Sequence, residues 1–249
     1  MVLGNAFGIV TMYTLHTYDI GDVWGGEITY DPSQLSNLNA ALTDFIANNQ
    51  DPRAALDLNY LLLTGNQPRA IEVSFFYDGP TPSNAFAAFM SIPNLNDTTQ
   101  TQRYPQLLDV PGTSALGLRS SNAVNSLPNI PSSNMTSFLE WHWNQATEGP
   151  FLPSLQDCDI EVFTMALQPI PVGLQQASMS HGPGALALDP AHGDKMWIEY
   201  DIGWVKAACD NQGPQNLMRL VDQALAYQKE TYAGIEPTHY VSGDLSFVP

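Results

Sequence analysis

The stretch Gln168–Trp204, QPIPVGLQQASMSHGPGALALDPAHGDKMWIEYDIGW, decides the fold. It opens as a strand leaving the core at Gln168-Pro169-Ile170-Pro171. It crosses a Gly/Ser/Pro-rich loop that carries His181, and re-enters at Met196 to Trp204. That last run alternates. Successive strand side chains point to opposite faces, so Met196, Ile198, Tyr200 and Ile202 point one way, and Trp197, Glu199 and Asp201 the other. The first set is an apolar face for packing helices. The second sets two carboxylates beside an indole on one sheet face, and chemistry is expected above it.

Working outward, FGIVTMYTLHT (Phe7 to Thr17) and Val23 to Tyr30 alternate as strands. Gly25-Gly26 inside the second marks a bulge or a close backbone approach. Asp31-Pro32 opens a helix as cap and first residue, with Leu35, Leu38, Leu42, Phe45 and Ile46 as its apolar stripe. Ala54 to Leu63 and Ile71 to Tyr77 form a hairpin around Gly65-Asn66-Gln67-Pro68. Pro82 to Met90 reads as a helix with Phe86, Phe89 and Met90 as core. Short elements follow near 104–108 and 116–124.

Helices are expected at Met135 to Gln145 and at Gln215 to Thr231, with a strand at Asp159 to Leu167 between them. Gly234 to Pro249 is irregular. Most connections are short or hairpin-like, and parallel winding would need a crossover at each step. The expected class is therefore α+β: one antiparallel sheet with helices covering one face, in a single domain over residues 1–249.

The chain has 249 residues, enough to bury roughly 75% of its unfolded surface without a staple. Its 8 Lys and Arg stand against 25 Asp and Glu, a net charge of −17. That balance disfavours nucleic acid and anionic membranes, which need clustered cations. It leaves a neutral or weakly polar small organic molecule as the expected ligand; the plainer reading is that acidity serves solubility. Cys158 and Cys209 have no metal-ligand spacing and are expected to be free and buried. The five histidines never fall at ligand spacing with a cysteine, so no metal is expected.

No apolar run is long enough to span a bilayer. MVLGNAFGIV lacks a basic n-region, which gives cytoplasm as the expected location. The sequons Asn96-Asp97-Thr98 and Asn134-Met135-Thr136 hint at a secreted ancestor, although a chain of this length carries one or two by chance.

The candidate site residues are these. Glu199 is a carboxylate on a mixed aromatic face, a base or acid if desolvated, a solvated strand residue otherwise. Asp201 is its neighbour on that face, or a rim charge. His181, between Ser180 and Gly182, is a proton shuttle or an exposed loop residue. Glu161 and Phe163 share a strand parity and are expected to line the same cavity. Trp141, beside His142 and Trp143, and Tyr200 are expected to shape it.

Several segments together resemble a known family. Gly4-Asn5-Ala6-Phe7-Gly8-Ile9-Val10-Thr11 is similar to the G-N-F-G-I-V-T segment of fungal FAD-linked oxidoreductases of the berberine bridge enzyme type. Val23-Trp24-Gly25-Gly26 and Gln168-Pro169-Ile170-Pro171 look like two further signatures of that family, and Met196 to Trp204 like its catalytic strand. The match runs in order along nearly the whole chain, but covers only the family's substrate-binding part. The resemblance implies a flavin-binding part before residue 1, with pyrophosphate-cradling loops and, in many members, a His and a Cys tethering FAD. It also implies a later segment with an Asn-rich flavin contact and an active-site Tyr. It places Glu199 where relatives carry the Glu or Gln over the flavin, and Trp197 where some carry a Lys or another pocket residue.

Three readings follow. The first is a cofactor-free cyclase or isomerase, proton-transferring or pericyclic, acting on a polyketide- or terpenoid-like intermediate. There Glu199 acts as base, with Trp197 and Tyr200 shaping an apolar cleft. The second is the substrate-binding portion of an FAD oxidoreductase that needs a separate flavin domain. The third is a non-catalytic binding or dimerisation module that uses the open sheet face as its interface.

Overall fold

The computed structural model describes residues 11–12, 14, 17, 19–49, 51–65, 67–108, 117–128, 132–179 and 190–232. The strands are β1 (Asp22–Tyr30), β2 (Ala54–Thr64), β3 (Ala70–Tyr77), β4 (Asn96–Asp97), β5 (Gln100–Arg103), β6 (Arg119–Pro128), β7 (Ile160–Ile170) and β8 (Lys195–Trp204). The helices are α1 (Leu35–Asn48), α2 (Ala87–Met90), α3 (Tyr104–Leu107), α4 (Ser132–Glu148), α5 (Phe151–Ser154), α6 (Val172–Met179) and α7 (Gln212–Thr231).

The strands join in one eight-stranded sheet, in the order β4, β1, β3, β2, β7, β8, β6, with β5 also against β1. Every pairing is antiparallel. The α+β class, with one antiparallel sheet and helices on one face, is what the structure shows.

Register makes the two faces explicit. Tyr60 pairs Met165, Met165 pairs Tyr200, and Tyr200 pairs Ala123, one continuous row under the helices. Tyr60, Met165, Leu167, Ile198 and Tyr200 on that side are almost wholly buried. Against them pack Leu38 and Leu42 of α1, Phe138 and Leu139 of α4, and Leu217 and Leu220 of α7. Truncating any of these to Ala costs about 2–5 kcal/mol, the transfer loss plus the cavity left behind.

Local chemistry explains the entry to α1. Asp31 caps a short 3-10 turn, Pro32–Gln34, accepting the Ser33 N–H at 2.9 Å, and Pro32 sits where no N–H is needed. Gly25 is a close approach: a Cβ there would lie 2.3 Å from the Phe75 carbonyl oxygen.

Several expectations change. Cys158 and Cys209 are not free; they form a disulfide with Cα atoms 5.6 Å apart. It ties the turn before β7 to the turn after β8, contacts that no short sequence spacing announces. Residues 172–179, read as loop, form α6. Gln175 fixes that helix, its amide donating to the Ile170 and Gly193 carbonyls, each at 3.0 Å. Met90 is exposed, not core. Of the strand expected at Phe7 to Thr17 only residues 11, 12, 14 and 17 are described, and none of these is in a strand; His181 and the irregular end from Gly234 lie outside the described residues. Among the described residues, no helix is long and apolar enough to cross a membrane.

Candidate active site

The face opposite the helices carries half-buried polar side chains. Alternation along β8 puts Trp197, Glu199 and Asp201 there. Register extends the row outward from Glu199. It pairs Ala166 of β7, which pairs Asn59 of β2, which pairs Glu72 of β3. On the other side Glu199 pairs Val124 of β6. Asp57 and Glu27 reach the same face through a shared cross-strand partner, Ser74.

Five carboxylates from four strands thus share one half-buried face: Glu27, Asp57, Glu72, Glu199 and Asp201. Between Asn59 and Glu199 the row carries only Ala166, whose methyl leaves the sheet surface low.

The electrostatics follow from that crowding. Desolvation by burial raises Asp57 to about 6, and the Glu199 charge adds to it, while a hydrogen bond with Asn59 pulls the other way. Asp201 rises to about 6, by burial first and Glu199 second. Glu72 rises to about 7 through burial and then the Glu27 charge; Glu27 is itself raised by burial. Asn122 Nδ2 donates to Glu199 Oε1 at 3.3 Å. Asp57 Oδ1 is buried without a hydrogen-bond partner. Asp57, Asp201 and Glu72 can hold or release protons near neutral pH, as acid–base groups must.

The structure brings Trp197, Glu199 and Asp201 together and sends other candidates elsewhere. Tyr200 is wholly buried on the helix side, its ring 6.3 Å from that of His142. Phe163 is buried on that side against Phe151, ring centroids 4.7 Å apart. Glu161 is exposed at the irregular start of β7, its carbonyl accepting the Gly65 N–H, so it does not share a cavity with Phe163. Trp141 stacks on Tyr227 of α7, 4.4 Å apart and 3° from parallel, between two helices. His142 Nδ1–H donates to the Phe138 carbonyl at 2.9 Å, and burial lowers its pKa to about 4. The rings of Tyr200, Phe163, Trp141 and His142 therefore pack among the helices and the sheet face beneath them rather than beside Glu199.

Asp57, Glu72 and Glu27 were not singled out from sequence. A signal existed: Asp57 and Asn59 are the polar members of the alternating run Leu56, Asp57, Leu58, Asn59, Tyr60. Only register shows that they meet β8.

A sequence comparison supplies the relationship. A fungal protein of Arthroderma benhamiae named as an uncharacterized FAD-linked oxidoreductase is 28% identical over 217 residues, covering 84% of this chain and 41% of the relative. The chain is homologous to part of the fungal FAD-linked oxidoreductases. The bifunctional solanapyrone synthase of Alternaria solani is 25% identical over 227 residues, covering 90% of this chain and 42% of the synthase. A solved BBE-like protein of Arabidopsis thaliana shares the fold, with a TM-score of 0.55, 11% identity, 86% of this chain covered and 44% of that one. No protein-family profile matches. The chain thus spans about two-fifths of the length of these oxidoreductase relatives.

That relationship raises the question of flavin. A flavin dinucleotide carries an anionic pyrophosphate, which is held by backbone N–H groups at helix starts or by cations. The described open face presents five carboxylates. At its end, Lys195 is buried and its Nζ donates to Gln175 Oε1 at 2.5 Å. These residues do not fit the pyrophosphate.

Proposed function

We propose that the open face is the substrate wall of an enzyme of secondary metabolism that works by proton transfer, a cyclase or isomerase. The observation that carries this is the set of carboxyls around Glu199, two of them raised to about 6 by burial and by its charge. Glu199 takes a proton from an acidic C–H of the bound molecule. A carboxyl that still holds its proton, Asp57 or Asp201, returns one to another atom of the same molecule. No electrons are gained or lost, and a further proton exchange resets the pair. Asn122 holds Glu199 in place, and the indole of Trp197 offers an apolar platform. The relatives' names, an FAD-linked oxidoreductase and solanapyrone synthase, support an enzyme lineage that includes secondary metabolism.

One observation favours a second reading. The chain spans 41% and 42% of two relatives, so a flavin-binding domain could meet this face and supply oxidation. The visible spectrum of the purified native protein decides between them. Absence of a bleachable flavin band supports the proton-transfer reading; a stoichiometric band overturns it.

A further inference from the structure

We propose that Asn96 is an N-glycosylation site, and that the chain folds in an oxidising secretory compartment. Two independent observations carry this. Both cysteines of the chain are joined as Cys158–Cys209, and structural disulfides form and persist in oxidising compartments. That requirement sets the proposal against the cytoplasmic expectation. Asn96-Asp97-Thr98, an acceptor triplet for N-linked sugar, lies in a run of six exposed residues, 93–98.

The position suits a glycan. β4 is the outermost strand of the sheet, and Asn96 pairs Thr29 of β1, which puts it at the rim of the carboxylate-bearing face. An edge strand presents unpaired backbone groups that invite pairing with another chain, and proteins block such edges. Leu95, beside Asn96, is 65% exposed. A sugar on Asn96 would shield both the edge and this side chain.

Geometry also fixes when transfer occurs. Thr98 Oγ1 accepts the Glu27 N–H at 2.9 Å and donates to the Glu27 carbonyl at 3.0 Å. In the folded chain the acceptor hydroxyl is therefore locked into the sheet edge. Transfer precedes closure of that edge, on the extended chain. The Asn96 amide nitrogen loses a proton and bonds to the anomeric carbon of a lipid-linked oligosaccharide, and the lipid pyrophosphate leaves. The second triplet is set differently. Asn134 is exposed, but Met135 beside it is buried and the Asn134 carbonyl accepts the Tyr232 hydroxyl at 3.3 Å.

The test is expression of the full chain with a secretion leader in a eukaryotic host, followed by non-reducing peptide mapping and intact mass. Expected are an intact Cys158–Cys209 bond and a glycan on the Asn96 peptide, released by peptide N-glycosidase with conversion of that Asn to Asp. The mass shift attributable to this peptide is absent in Asn96→Gln. Mapping of the unsubstituted protein needs no variant to fold. Secreted, disulfide-bonded protein with an unmodified Asn96 overturns the proposal. So does a shift that survives Asn96→Gln and vanishes in Asn134→Gln, or a chain that reaches the medium with both cysteines reduced.

Discussion

Asn122 Nδ2 donates to Glu199 Oε1 at 3.3 Å, a diagonal contact, because the residue directly opposite Asn122 in the β6–β8 register is Asp201. One amide thus holds one carboxylate of the pair and leaves the other free to titrate. Replacing Asn122 with Ala removes that hold without adding charge. The expected result is a fall in turnover of roughly 10-fold with little change in unfolding midpoint, about 1 kcal/mol or less, since the bond is half-exposed. An unchanged rate would remove Asn122 as a positioning residue.

The raised carboxyls make stability depend on pH. Asp57 and Asp201 bind protons more tightly folded, with values of about 6 against an ordinary 3.8. Glu72 does so at about 7 against 4.5. Their contribution is fully present below the unfolded values and is lost as pH rises through about 6 and 7. His142, lowered to about 4 from 6.5, works in the opposite direction: its contribution is present above pH 6.5 and is lost as pH falls toward 4. Asp57→Asn should therefore raise stability at pH 7 by about 1–3 kcal/mol and flatten the decline between pH 4 and 6. Urea denaturation at pH 4, 5.5 and 7 measures this. An equal loss at all three values would show that Asp57 is held ionised by partners instead.

The Tyr200 hydroxyl is wholly buried and has no hydrogen-bond partner. Removing such a group does not forfeit a bond, so Tyr200→Phe should be neutral or stabilising and leave substrate affinity unchanged. A loss of more than about 2 kcal/mol would reveal a bonded hydroxyl in solution.

These residues show what the sequence could tell and where it stopped. The alternation of Met196 to Asp201 gave both faces of β8 correctly, because period two needs no tertiary information. The same alternation that sets Glu199 on the open face takes Tyr200 to the helix side, away from it. Strand parity joins Phe163 to Glu161 only if β7 is regular, and the register shifts between Ile160 and Val162; Phe163 packs on Phe151 and Trp141 on Tyr227. The two-residue β4 and the four-residue β5 are polar and fully dependent on β1. The partners Asp57 and Glu199 lie far apart in the chain, and only the strand order through β7 places them roughly 10 Å apart.

The disulfide closes a separation of 51 residues. Chain-entropy reasoning gives it about 2–4 kcal/mol, through restriction of the unfolded state. The paired substitution Cys158→Ala and Cys209→Ala should lower stability by that amount under non-reducing conditions. Reducing agent should then change the native protein and leave the double variant unaffected. Equal response of the two would mean the bond is absent in solution.

Whether the open face is a proton-transfer surface rests on the coupling of its carboxyls. Carboxyl-carbon NMR titration of aspartate-labelled protein, with and without Glu199→Gln, reads it directly. Midpoints near 6 for Asp57 and Asp201, both moving down when the Glu199 charge is removed, are the predicted result. Midpoints at the ordinary 3.8, unmoved by the substitution, would contradict it.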